Sequence, residues 1–438
     1  MSAPSSGAAP SARAIAHELL GAVLWRRQAL DEALAAHRFL PLLDPRDRAF
    51  TRQLVATTLR RLGQIDALIA HGLSAPLPDR ARPVTDVLRL GVAQLAFLGT
   101  PSHAAVSTSV DLVEFVGHNK MKGLVNAVLR RLARESEALI PTQDAARLNT
   151  PEWLWQSWRA AYGETTTRAI AAAHWRDPPL DLTLRDPASA DWPALLAGAT
   201  LPTGTIRREE TGPVTELPGY ADGAWWVQDA AASLPARLFG DVAGKVAVDL
   251  CAAPGGKTAQ LAAMGARVVA VDRSPARVTR LRQNLARLSL AAETVIADAA
   301  TWRPNEKVPI VLLDAPCTAT GTIRRHPDIQ HLKLPEDVAR LVPLQARLLD
   351  AAVDMLAPDG TLVYGVCSLE AEEGPRQIDA LLARAPVTRK PIAASEIGGL
   401  AQCLTRDGDL RTLPCHLADR GGLDGFYAAR LIKTRSKQ

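Results

Sequence analysis

The stretch KVAVDLCAAPGGKTAQLAAMG, Lys245–Gly265, joins an apolar strand to a helix through a glycine-rich turn. Gly255 and Gly256 allow the backbone of this turn to approach a ligand closely. The turn is not a Walker A loop, because Cys251 stands where the first glycine of that motif would stand. It also lacks the GxGxxG fingerprint of dinucleotide-binding proteins. The stretch therefore predicts a ligand-binding turn of another class.

Four further apolar strands follow, with helical segments between them: ARVVAVD (266–272), AETVIAD (292–298), PIVLLDAP (309–316) and GTLVYGV (360–366). Alternation of strands and helices predicts a parallel sheet that is covered by helices on both faces. Ligands of such sheets bind at the carboxyl ends of the strands. We therefore predict an α/β, Rossmann-like domain over residues 242–438.

Acidic residues end successive predicted strands. Asp272 ends the second strand, 23 residues after Asp249, and its carboxylate suits the two hydroxyls of a ribose. Asp298 ends the third strand, where it can accept from an adenine amino group. Each acid could instead cap the helix that follows it. Acids at successive strand ends favour a Rossmann-like fold that binds S-adenosylmethionine.

Cysteines follow two of the predicted strands. Cys317 lies in VLLDAPCTATG (Val311–Gly321), and Cys367 lies in LVYGVCSLE (Leu362–Glu370). The chain has five cysteines and no CxxC pair, which argues against a disulfide framework or a zinc site and favours a reducing, cytoplasmic setting. We predict no metal.

The first part of the chain is predicted to be helical. Residues 1–10 are small and polar and are predicted to be disordered, and they do not resemble a signal peptide. Residues 11–140 carry apolar side chains at i, i+3 and i+4 spacing, which predicts an all-α domain. Residues 141–241 predict a small α+β connector, with a helix that ends at Gly163. The sequence contains no run of about 18 apolar residues, so no membrane span is predicted.

The basic residues concentrate in the helical region. Residues 1–140 hold 17 Lys and Arg against 12 Asp and Glu, a difference that equals the net charge of +5 of the whole 438-residue chain. This excess suits a polyanionic partner. A solvated helical surface explains it equally well.

Three motifs together, DLCAAPGGKT, DAPCTATGTIRRHPDI and YGVCSLE, resemble the RsmB/Nop2/Sun family of RNA cytosine-C5 methyltransferases. The resemblance covers nearly the whole chain and is greatest to the bacterial branch that modifies 16S ribosomal RNA. It implies a NusB-like RNA-binding domain at residues 11–140, S-adenosylmethionine as methyl donor, cytosine 967 as target, and free 16S rRNA or an assembling small subunit as partner. A monomer without membrane association is expected. At two places, Gly365-Val366 and Gly374, the residues of this chain differ from those usual in the family.

The chemistry requires a thiolate that adds to C6 of cytosine, because C5 alone is a poor nucleophile. Spacing does not decide which sulfur attacks, and DNA cytosine methyltransferases would nominate Cys317. The resemblance implies Cys367 as nucleophile, Cys317 as the group that promotes release, and Asp314 at the cytosine edge. A positive neighbour is expected beside the thiolate, with Lys257, Arg324 or Arg325 as candidates.

The remaining predicted site residues form two groups. The cofactor group is Cys251, Ala252, Ala253, Pro254, Gly255, Gly256, Lys257, Asp272, Arg277, Asp298 and Asp314. The RNA-binding group is Arg324, Arg325 and His326. Two other functions stay open: an RNA-binding assembly or antitermination factor with an inactive methyltransferase half, and the same chemistry on transfer RNA.

Overall fold

The computed structural model describes residues 10–209 and 212–435. The predicted disorder of residues 1–10 therefore falls almost wholly outside the described residues. The chain forms two compact units. The first takes the chain up to Arg176 together with the short segment Arg325–Lys333, and the second takes Asp177–Arg324 and the chain from Leu334 onwards. The predicted connector, residues 141–241, is thus divided between the two units.

Helices build the first unit. They are α1 (Ala12–Leu24), α2 (Leu30–Ala36), α3 (Pro45–Arg60), α4 (Leu62–Gly72), α5 (Arg82–Ala96), α6 (Ser102–Phe115), α7 (Lys122–Leu139), α8 (Ala145–Leu148) and α9 (Glu152–Ala173). One apolar core runs through α1–α7. The Asp44 carboxylate caps α3 by accepting from the backbone N–H of Asp47 at 2.8 Å, and Pro45 stands at the first helical position.

Helix α9 departs from its predicted end. Gly163 adopts a left-handed conformation with φ of +79°, so it breaks the helix where the sequence predicted an end. The chain then resumes helical geometry as far as Ala173. Trp155 and Trp158 of the first half are buried.

The second unit begins with a small antiparallel sheet in the order β2-β3-β1-β4. Its strands are β1 (Leu180–Leu184), β2 (Ala199–Thr200), β3 (Ile206–Arg208) and β4 (Trp225–Val227). A buried ion pair joins neighbouring strands, with Arg207 Nε 2.7 Å from Asp181 Oδ1. The backbone of Gln228, just after β4, donates to Asp181 O.

A large mixed sheet follows, in the order β10-β12-β9-β8-β5-β6-β7, with β11 paired to β12. The strands are β5 (Val246–Leu250), β6 (Arg267–Asp272), β7 (Glu293–Ile296), β8 (Val308–Asp314), β9 (Leu356–Val366), β10 (Val387–Arg389), β11 (Leu410–Thr412) and β12 (Phe426–Lys433). The five strands from β5 to β9 are parallel to one another, whereas β12 runs antiparallel to β9. The predicted Rossmann-like domain is confirmed.

The remaining helices are α10 (Trp192–Leu195), α11 (Leu234–Arg237), α12 (Gly256–Ala263), α13 (Pro275–Arg287), α14 (Ile329–Leu332), α15 (Pro335–Met355) and α16 (Pro375–Arg384). Apolar clusters on either side of the large sheet include helical residues such as Leu261 and Leu349. Because β5, β8 and β9 are parallel neighbours, the loops after them meet at one edge of the sheet. Within the described residues, no helix is both long enough and apolar enough to cross a membrane.

Candidate active site

The loop between β5 and α12 is held by backbone contacts that its sequence makes possible. Gly255 has φ of +104°, a conformation that favours glycine. The N–H of Ala252 donates to Val271 O at 3.1 Å, and the N–H of Gly255 donates to Ala252 O at 2.9 Å. Asn284 Nδ2 donates to Pro254 O at 2.9 Å. These bonds fix a tight turn at the sheet edge, as the glycines predicted.

The cysteine in this loop is not a free thiolate. Cys251 has φ of +60°, and burial raises the pKa of its thiol to about 12. Its thiol therefore stays protonated at neutral pH. This state fits a packing role inside the loop.

The acids at the end of β6 and after β7 differ in accessibility. Asp272 is buried, and its carboxylate accepts from the N–H of Ala253 at 3.2 Å and of Ser274 at 3.0 Å. Arg277 lies 3.3 Å from Asp272 and also donates to Ala253 O. Asp298 is exposed, and one of its oxygens accepts from Ala300 N at 2.9 Å. Both carboxylates retain lone pairs for further donors.

A further buried acid was not predicted as a site residue. Asp249 is the second-last residue of β5 and is fully buried, and Thr258 Oγ1 donates to its Oδ2 at 2.5 Å. Its Oδ1 has no hydrogen-bond partner within the part of the chain that the structure describes. Burial raises the pKa of Asp249 to about 7. The glycine turn, the acids along the edge and this orphaned oxygen fit a ligand such as S-adenosylmethionine, which carries hydroxyl and amino donors.

A half-buried ion pair lies between the glycine-rich turn and the thiols. Lys257 Nζ is 2.7 Å from Asp314 Oδ2 and 5.0 Å from the centre of the Phe426 ring. Burial alone would lower the pKa of Lys257, but the charge and hydrogen bond of Asp314, followed by the interaction with Cys367, raise it. The ammonium therefore stays charged close to Cys367, as the predicted positive neighbour requires.

The two thiols meet at the carboxyl ends of β8 and β9. Cys317 Sγ lies 3.5 Å from Cys367 Sγ. Their hydrogen bond and then burial raise the pKa of Cys317 well above its ordinary value. The N–H of Gly321 donates to Cys367 O at 3.0 Å, so the loop that carries Cys317 also contacts the backbone at Cys367. The structure brings together Cys317, Cys367, Lys257 and Asp314.

The glycine at position 365 has a packing explanation. A Cβ atom at this position would lie 2.9 Å from the Phe426 ring, which is closer than side chains pack. The same ring is the one that faces Lys257. A glycine at position 365 therefore admits Phe426 beside the site.

The position of Arg324 contradicts the prediction that it binds RNA. Its side chain is 2% exposed, with Nη2 2.6 Å from Asp229 Oδ2 and Nε 2.5 Å from Asp424 Oδ1. It also donates to Gly421 O at 2.7 Å. A guanidinium with two buried carboxylate partners cannot reach a phosphate without breaking both pairs. Arg324 therefore stabilises the loop from inside.

The next two predicted RNA contacts belong to the first unit. Arg325 is half-buried, and His326 Nδ1 lies 3.3 Å from Asp31 Oδ2.

In residues 10–209 and 212–435, no group of three or more His, Cys, Asp and Glu side chains could hold a metal ion.

Comparisons with known families match both parts of the chain. A family described as 16S rRNA methyltransferase RsmB/F matches residues 240–432. The NusB family matches residues 10–134. The second match covers helices α1–α6 and most of α7, and the first covers the large sheet and both thiols.

Curated relatives span almost the full chain. A ribosomal RNA small subunit methyltransferase B from Pseudomonas putida is 38% identical over 96% of this chain and 98% of its own length. The protein of the same name from Klebsiella pneumoniae is 35% identical, with 97% and 98% covered. The crystal structure of a methyltransferase homolog protein from Pyrococcus horikoshii, 25% identical, covers 66% of this chain and 96% of its own with a TM-score of 0.55.

Proposed function

The chain belongs to the 16S rRNA methyltransferase RsmB/F family, and we propose that it methylates C5 of a cytosine in 16S ribosomal RNA with S-adenosylmethionine as methyl donor. The resemblance to the family points to cytosine 967 as the target. The observation that supports this chemistry is the 3.5 Å separation of Cys317 Sγ and Cys367 Sγ at the edge that carries the cofactor loop. Two thiols so placed can both reach one pyrimidine ring.

The thiolate of Cys367 adds to C6 and forms an S–C6 bond, which moves the electrons of the C5–C6 double bond toward C5. Lys257 holds the Cys367 sulfur as an anion before attack, and Asp314 contacts the cytosine edge. S-adenosylmethionine, when bound, supplies an electrophilic methyl group at C5.

Release requires the reverse electron movement. The C5 proton leaves to a base, the C5–C6 double bond forms again from the C5–H electrons, and the S–C6 bond breaks. Cys317 keeps its proton and is hydrogen-bonded to Cys367, so it donates to the departing sulfur. The target base must leave any stack to reach these thiols.

The cofactor is assigned to the loop Cys251–Lys257 and to the acids along the same edge. Asp272 suits the ribose, Asp298 suits the adenine amino group, and the orphaned oxygen of Asp249 suits an ammonium donor. Arg277 holds the loop through Ala253 O. Arg325 and His326 remain proposed RNA contacts, and the helical domain is proposed as a second RNA-binding surface.

The test uses 16S RNA labelled with tritium at C5 of cytosine, incubated with the protein and S-adenosylmethionine. Tritium release to water together with 5-methylcytosine in the digested RNA supports the proposal. Binding of the RNA without tritium release would contradict it and favour an assembly factor. Release only from transfer RNA would assign the same chemistry to another substrate.

A further inference from the structure

A layer of polar side chains lies beneath the two thiol loops and is withdrawn from solvent. Its members are at most 1% exposed: Thr318, Thr320, Gln345, Ser368, Glu370 and Glu373. Buried carboxylates cost several kcal/mol unless hydrogen bonds satisfy them. The proposed chemistry gives these side chains no role, so their presence beneath the thiols needs a separate explanation.

Glu373 binds the residue that follows the first thiol. Its two carboxylate oxygens accept from the backbone N–H of Thr318 at 3.0 and 3.2 Å and also from the Thr318 hydroxyl. Gln345 Nε2 donates to the same carboxylate at 3.0 Å. The backbone carbonyl of Glu373 accepts from the hydroxyl of Tyr364, on β9, at 2.6 Å. One residue thus links the loop of Cys317 to the strand that leads to Cys367.

Hydroxyl groups continue this link between the two loops. Ser368, which follows Cys367, has its Oγ 3.3 Å from Thr318 Oγ1 and 3.4 Å from Thr320 Oγ1. Thr320 Oγ1 accepts from the N–H of Leu369 at 3.0 Å and donates to Glu370 at 3.1 Å. The residues directly after each cysteine are therefore hydrogen-bonded to one another beneath the sulfur atoms.

We propose that Glu373 is a positioning residue that fixes the distance between the two thiols, acting through Thr318. The inference rests on the proposed function and adds to it a residue that touches neither the sulfur atoms nor solvent. Both sulfurs have to reach one pyrimidine ring, and a displacement of about 1 Å can cost about 100-fold in rate. A buried carboxylate with several donors holds a loop more firmly than a neutral side chain does.

The test compares Glu373→Gln with Glu372→Gln. The neighbouring Glu372 is partly exposed and pairs with Arg376 at the surface, at 2.6 Å, so it controls for the loss of one charge in the same loop. In Glu373→Gln we expect kcat for methyl transfer to fall about 10- to 100-fold, with the KM for RNA and the Kd for S-adenosylmethionine unchanged. Glu372→Gln should match the wild type, and Glu373→Asp should recover part of the loss.

A second readout, the equilibrium constant of disulfide formation, reports without catalysis how readily the two thiols meet. In mixtures of glutathione disulfide and glutathione, Cys317 and Cys367 form a disulfide as one glutathione disulfide is reduced to two glutathione molecules. Mass spectrometry of the joined peptides gives the equilibrium constant. We expect Glu373→Gln to lower this constant at least 10-fold relative to the wild type and to Glu372→Gln.

Because Glu373→Gln could impair folding, Thr318→Val offers a second route, since it removes one donor to Glu373 and keeps the side-chain shape. It should also lower the disulfide constant, and the protein should still fold because Glu373 keeps the donors Thr318 N–H and Gln345 Nε2. Wild-type values of kcat and of the disulfide constant in folded Glu373→Gln or Thr318→Val would overturn the proposal. Absence of 5-methylcytosine with the wild-type protein would overturn the proposed function instead. The two failures can be told apart because the disulfide measurement tests the positioning of the thiols without RNA.

Discussion

Cys317 and Cys367 have different electrostatic surroundings, although their sulfur atoms are 3.5 Å apart. The hydrogen bond between them and burial raise the pKa of Cys317, so this thiol keeps its proton. Against the lowering effect of burial, Asp314 and then Cys367 raise the pKa of the Lys257 ammonium. A cation beside one sulfur and a proton on the other favour Cys367 as the nucleophile, the choice that spacing alone left open.

Lys257→Gln tests this asymmetry. Loss of the ammonium removes the charge that stabilises the Cys367 thiolate, so alkylation of Cys367 by iodoacetamide at pH 7.5 should become slower, and kcat should fall about 100-fold. Peptide mass spectrometry gives the alkylation rate at each cysteine. Lys245→Gln, which removes an exposed ammonium before β5, should behave like the wild type. An unchanged alkylation rate in Lys257→Gln would refute the role of this side chain.

Asp249 predicts a pH dependence of stability. Burial raises its pKa to about 7 from 3.8, so the folded protein binds a proton that the unfolded chain has lost between these values. Stability therefore falls as the pH rises from about 4 to about 7, by at most about 4 kcal/mol for this carboxyl. Asp249→Asn removes this titration, and its thermal midpoint should fall less than that of the wild type between pH 5 and pH 8. The exposed Asp222→Asn is the control. Parallel curves for wild type and Asp249→Asn would contradict the prediction.

At the scale of elements, the parallel strands were predictable because strands that are buried on both faces form continuous apolar runs. The glycine turn and both thiol loops follow from the ends of those runs. The antiparallel pairing of β12 with β9 was not predicted, since pairing between distant strands depends on tertiary contacts. The burial of Arg324 was missed for the same reason, because its partners Asp229 and Asp424 lie about a hundred residues away in sequence.

The turn at Gly321 provides a test at this scale. An added Cβ would lie 1.9 Å from Gly425 O and 2.9 Å from Cys367 O, so the loop of Cys317 would have to move. We expect Gly321→Ala to lower the free energy of unfolding by about 2 kcal/mol and to reduce kcat. Gly123→Ala is the matched control, since an added methyl group there meets no described atom within 4 Å. It should leave kcat unchanged and raise stability by about 0.5 kcal/mol. Equal effects of the two substitutions on kcat would count against the turn as a support of the site.

At the scale of the whole molecule, the first unit is built from two distant stretches of chain. The segment Arg325–Lys333 belongs to it, and there the Asp328 carboxylate accepts from Leu30 N at 2.9 Å. Gln330 Nε2 and His331 Nε2 both lie within hydrogen-bond distance of Leu59 O. Hydrophobic periodicity predicted the helices of this unit, but it could not predict that a polar loop from the second half completes it.

Asp328→Ala tests this arrangement. The substitution leaves the buried N–H of Leu30 without its acceptor, which costs about 1–3 kcal/mol. The segment should then open more often, so trypsin should cleave faster after Arg325 or Lys333 in the intact chain. Asp419→Ala, at an exposed position, is the control. A wild-type cleavage rate in Asp328→Ala would show that the segment is held by other contacts.

The most direct measurement of the central claim is the covalent adduct. Cys317→Ala and Cys367→Ala are each incubated with 16S RNA and S-adenosylmethionine and then separated on a denaturing gel. The proposed roles predict a slowly migrating protein–RNA adduct in Cys317→Ala, where attack occurs without assisted release, and none in Cys367→Ala. An adduct only in Cys367→Ala would contradict these roles and make Cys317 the nucleophile.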